Sequence, residues 1–154
     1  MIAVAACTSR EKVVVDSAGG EVSPALTDVN VHDYDLDMDK MRKWVASMKA
    51  LMTAAKQDSS LAAAITLNGN ETMTQSIAKL EGNSKVTDIL RHAGITARDY
   101  VMTMTAYLQA AMVDAAARAV PPGKAPEGVN PKNVEFIRTH HDELVELLKD
   151  DESA

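Results

Sequence analysis

From Val134 to Leu148, apolar and aromatic side chains return at intervals of three and four: Val134, Ile137, His141, Leu144 and Leu148. That period matches the 3.6-residue turn of an α-helix and not the two-residue alternation of a strand. The start of the segment is equally explicit. Asn130 is a good N-cap, and Pro131 sits at the first helical position, where a missing N–H costs nothing. Val129 and Val134 can close over the end as a hydrophobic staple. The acidic run Asp150–Glu152 crowds the negative pole of the helix dipole, so the spacing predicts a frayed tail over 150–154.

The same period recurs upstream. Asp37 can cap a helix whose stripe is Met38, Met41, Val45, Met48, Met52 and Ala55, with Leu36 folded back on Met41. This helix reaches about Gln57 or runs on through Ile65, and Asn68-Gly69-Asn70 ends whatever precedes it. A shorter helix over 71–81 turns Met73, Ile77 and Leu80 inward, and Gly82-Asn83 stops it. Ser84 opens another through Val86, Ile89, Leu90 and Ala93, closed by Gly94 in the left-handed region. Thr96 and Asp99 form a variant capping box for the longest helix, whose core side is Tyr100, Met104, Tyr107 or Leu108, Ala111 and Ala115. Pro121-Pro122-Gly123 terminates it.

Composition agrees with helices. Aromatics are 3% of the chain and apolar residues 46%, so the core must be filled by Ala, Leu, Val and the nine Met. These side chains suit close helix–helix contact. The expected fold is all-α, a four- to five-helix up-and-down bundle over 36–149.

Residues 8–35 lack periodicity and carry Gly19, Gly20 and Pro24, the composition of a flexible linker. Ahead of it stands Val4-Ala5-Ala6-Cys7, which resembles the lipobox of bacterial lipoproteins: an apolar residue and two small ones before an acceptor Cys. The resemblance covers four residues. It implies acylation of Cys7, a lipid anchor in the membrane, and a location in the bacterial cell envelope or, failing anchorage, secretion. A signal also needs a basic segment and an apolar run before the Cys. Only six uncharged residues precede Cys7, so export requires a start further upstream. The competing expectation is a cytoplasmic helical protein with a chance Cys.

Net charge is −6, with acids gathered at 33–39 and 142–152. Phosphate backbones need a basic face, so nucleic acid is not an expected partner. The Asp33–Asp39 string fails as a calcium loop because Met38 and Trp44 hold the places of its Gly and Glu. Val86–Leu108 has a helix-turn-helix outline, but its second helix is too apolar to read a groove. Met38/Met41 and Met102/Met104 offer soft thioethers for copper, yet the first pair is on a core stripe and the second pair points about 200° apart on a helix.

Two histidines are left. The stripe buries His141 and turns His140 to the flank. In an up-and-down bundle Met48 and His141 lie at similar height on antiparallel first and last helices, a juxtaposition that resembles haem ligation in b-type four-helix cytochromes. It implies Met48 and His141 as ligands of haem b. No nucleophile–base set can be assembled, so no enzyme activity is expected. The leading expectation is a lipid-anchored or secreted module that binds a protein partner or a small ligand. A haem- or copper-binding bundle is the alternative.

Overall fold

The computed structural model describes residues 30–119 and 128–149, and the described residues form helices and connecting turns with no strand. A 3-10 turn, Val31–Asp33, leads into α1 (Met38–Ala55). Then follow α2 (Ser59–Ile65), α3 (Met73–Glu81), α4 (Ser84–His92), α5 (Ala97–Ala119), α6 (Pro131–Thr139) and α7 (His141–Leu148). The lipobox-like Val4–Cys7, most of the expected linker and the tail 150–154 lie outside the described residues.

The helix boundaries follow the local chemistry of caps. Asp37 accepts the Lys40 N–H at 2.8 Å. Thr72 and Gln75 form a reciprocal capping box at α3. At α5 the Asp99 N–H donates to Thr96 Oγ1 (3.0 Å) while the Thr96 hydroxyl donates to Asp99 Oδ2 (2.8 Å). Asn130 accepts the Lys132 N–H at 3.0 Å, with Pro131 in the first turn. Gly94, at φ +73°, turns the chain between α4 and α5.

The central element is α5, which packs on α1, α3, α4, α6 and the 3-10 turn. Tyr100, Val101, Met102 and Thr103 are buried in succession, so this turn is covered on every side. Ala106 and Ala110, both buried, let neighbouring backbones approach closely. Around α5 the core collects Met41, Trp44, Val45, Leu51, Leu61, Leu80, Val86 and Leu90. Each such side chain contributes about 1.5–3 kcal/mol relative to exposure.

Four expectations need correction. First, the helices number seven among the described residues rather than four or five. Asp58 caps a separate α2 by accepting from Ser60 and Leu61, and the C-terminal helix is split in two.

Second, α1 is rotated from its expected stripe. Trp44 and Leu51 are inside, Met48 is half-buried, and Met52 is 53% exposed. Two stripes of period three and four overlap here. The one that includes Trp44 and Leu51 buries more apolar surface than the one ending in Met52 and Ala55.

Third, among the described residues the packing extends ahead of Leu36 to Val31. Val31 is buried, and the Tyr34 hydroxyl meets Thr103 Oγ1 on α5 at 2.9 Å. Asn133, 2% exposed on α6, clamps the next residues. Its Oδ1 accepts the Leu36 N–H at 2.8 Å and its Nδ2 donates to the Tyr34 carbonyl at 2.8 Å. Beside it, Asn130 Nδ2 donates to Asp35 Oδ1 at 2.9 Å.

Fourth, His141 is exposed and His140 half-buried, the reverse of the order expected. His140 leaves the helical region at φ −107°, ψ 20°, ending α6 and starting α7. Its ring packs on Phe136 with centroids 4.8 Å apart. Thr and His are poor helix formers, and Asp142 and Glu143 suit the first turn of a new helix. The bend carries His141 off the stripe while Leu144 stays buried.

Candidate functional site

The bend at His140 opens a cleft of about 210 Å³ between the C-terminal half of α5 and α7. Its floor and walls are apolar: Ala111 and Ala115 from α5, Ile137 from α6, and Leu144, Val145 and Leu148 from α7. Small side chains on α5 make the trough, because an alanine face cannot fill the space that the turned α7 leaves. Tyr107, Asp114, Arg118 and His141 supply the polar lining.

Asp114 is the unusual member, a carboxylate 5% exposed within the apolar run Ala110–Ala117 of α5. It is held from two helices. Arg138 of α6 donates through Nε to Oδ1 at 2.8 Å, and Arg118, one turn along α5, approaches Oδ2 with Nη2 at 2.7 Å. The Arg138 hydrogen bond, opposed by burial and reinforced by Arg118, holds its carboxyl below the usual range. Both oxygens are thus engaged, as a buried charge requires. The arginines are about half exposed, and Arg118 lines the cleft together with Asp114. Burial raises the Tyr107 phenol. Tyr107 also touches Trp44, with ring centroids 5.5 Å apart, and so connects the cleft to the core.

The residues singled out from sequence are dispersed. Cys7 lies outside the described residues. His141 is on the rim of the cleft, 3.2 Å from Asp142, whereas Met48 on α1 is not among the residues lining it. Met41 and Met102 are buried in the core and Met38 and Met104 pack against it. The acids of 33–39 do structural work: Asp35 bonds Asn130 and Lys132, Asp37 caps α1, and Asp39 pairs with Lys43 at 2.6 Å. Among the described residues no group of three or more His, Cys, Asp or Glu is placed to hold a metal ion. No helix among them is long and apolar enough to cross a membrane.

Asp114, Arg118 and Arg138 escaped the sequence reading. The signal was a lone Asp within Ala110–Ala117, an otherwise apolar run, with Arg four residues on. A second cleft, between α1, α2 and α4, contains Asp58 and Lys85, but these already pair with each other at 2.5 Å. Comparison of the chain with family models, characterised proteins and solved structures gave no match.

Proposed function

We propose that the chain is a helical binding module that takes a small ligand in the cleft between α5 and α7, and that Cys7 carries a lipid tethering it to the bacterial envelope. The scaffold is read as an up-and-down bundle in which α5 is the central post. The observation that carries the binding reading is the convergence of Tyr107, Asp114, Arg118 and His141 on one apolar trough. A concave apolar surface with a few convergent polar groups is the usual form of a ligand site. At about 210 Å³ it is smaller than the roughly 300–1,000 Å³ of sites for drug-sized molecules, which favours a small ligand. The tether reading rests on Val4-Ala5-Ala6-Cys7 and the aperiodic stretch behind it.

Each half has its own test. A thermal-shift screen of small metabolites should find compounds that stabilise the protein but not Ala115→Phe, whose ring fills the trough. Hits that stabilise both equally would move binding elsewhere. For the tether, labelled palmitate should enter the protein expressed from its natural gene in its host, and Cys7→Ala should abolish both labelling and membrane association. Unlabelled wild-type protein in the soluble fraction would refute the anchor.

A further inference from the structure

The geometry points to the chemical class of that ligand: an anionic amphiphile, a carboxylate with a short to medium alkyl chain. The inference rests on the cleft being a binding site. Its polar end is defined by the Arg118 guanidinium and the His141 ring beside the Asp114 carboxylate, which Arg138 holds from outside the cleft. Asp114 cannot recruit a cationic ligand, because Arg138 and Arg118 already occupy its two oxygens. A guanidinium carries five N–H donors in a planar fork, and the contact of Arg118 with Asp114 is made through one terminal nitrogen. Its side chain is 54% exposed at the cleft, so its fork can accept a second carboxylate without unpairing the first.

Two of the three carboxylates on α7 are engaged by cations. On α7, Glu143 is engaged by Arg42 at 2.7 Å and Glu146 by Lys149, while Asp142 is fully exposed beside His141. The trough suits an alkyl tail. Ala111, Ala115, Leu144, Val145 and Leu148 offer no hydrogen-bonding side chain along it, and Val145 is 45% exposed. Covering that surface supplies the apolar part of the affinity, and the Arg118 fork supplies the polar part.

The test is calorimetric titration of the full chain with octanoate, acetate, octylammonium and 1-octanol. Trp44, the single tryptophan, provides a second readout through its contact with Tyr107. Octanoate should bind measurably and acetate should not. Arg118→Gln should weaken octanoate by about tenfold or more, the scale of a hydrogen bond to a charged group, while leaving 1-octanol unchanged. Arg118→Lys, which keeps the charge but not the fork, should fall between. Ala115→Phe should block every alkyl probe, and circular dichroism verifies that each variant is folded. If octylammonium or 1-octanol bound wild type as well as octanoate, and Ala115→Phe blocked them, the cleft would stand and the anionic class would fail. Failure of every alkyl probe would remove the amphiphile class, while the metabolite screen would still decide the cleft. Octanoate binding unaffected by Arg118→Gln would also overturn the inference.

Discussion

Replacing Asn133 tests whether the two ends of the domain are joined by hydrogen bonds or merely by packing. Its carboxamide satisfies the buried Leu36 N–H and the Tyr34 carbonyl, each at 2.8 Å, across about a hundred residues of sequence. Asn133→Ala leaves the Leu36 N–H without this acceptor, which costs about 1–3 kcal/mol for an unsatisfied buried donor. The Tyr34 carbonyl keeps a longer contact with Asn130 Nδ2 at 3.4 Å, so its loss is smaller. Together the change should destabilise by about 2–4 kcal/mol. In a domain of this size that lowers the melting midpoint by roughly 8–15 °C. Asn133→Leu separates the causes, since it restores volume but neither hydrogen bond. The assays are thermal melts followed by Trp44 fluorescence, and exchange of the Leu36 amide. If Asn133→Leu stayed within about 1 kcal/mol of wild type with the Leu36 amide still protected, the clamp would be a packing contact and the reasoning wrong.

Three further outcomes are expected. A chain starting at residue 30 should melt like the full chain, whereas one starting at 36 loses Val31 and the Tyr34–Thr103 bond and should melt at least about 10 °C lower; equal midpoints for the two would return residues 30–35 to the linker. Because the native Asp114 carboxyl is held below its ordinary 3.8, its pairing stabilises the fold above that value. That contribution is lost as pH falls through the lower native value, so melts of Asp114→Asn should be less stable near neutrality but less sensitive to acid than wild type. Gly94→Ala should cost about 1–2 kcal/mol in a urea titration, since its φ of +73° disfavours any Cβ while the nearest atom, Lys43 Cε, is a harmless 3.7 Å away; no change would mean that the turn readily readjusts.

The parts legible in the sequence are those encoded within a few residues. The Thr96 cap, Asn130 and Pro131, and Gly94 behave as read, because a cap or a left-handed turn is decided by its own neighbours, although Asp99 accepts from the Thr96 hydroxyl where a capping box would have the Thr96 N–H. Which face of α1 turns inward was not legible, since Met52 and Leu51 each continue a stripe of helical period and only packing against the neighbouring helices chooses between them. The placement of His141 failed for a related reason. A repeat of three and four assumes a straight helix, and one non-helical residue at His140 redirects everything after it. The candidate cleft was the least legible. It depends on that bend and on Asp114 meeting Arg138 across two helices, a pairing that periodicity does not register.

The Asn133 clamp also sets a timetable for synthesis. Leu36 finds its acceptor 97 positions later, and α6 is the most extensive partner of α5. At about 5–20 residues per second, a ribosome takes roughly 5–20 s to cover that interval. Throughout it the Leu36 amide lacks this acceptor, and over its last part, once α5 has been made, the α5 face destined for α6 is uncovered as well. The domain therefore completes its fold only when its C-terminal helices emerge, and a nascent chain stalled within α5 exposes an apolar surface that binding factors can recognise.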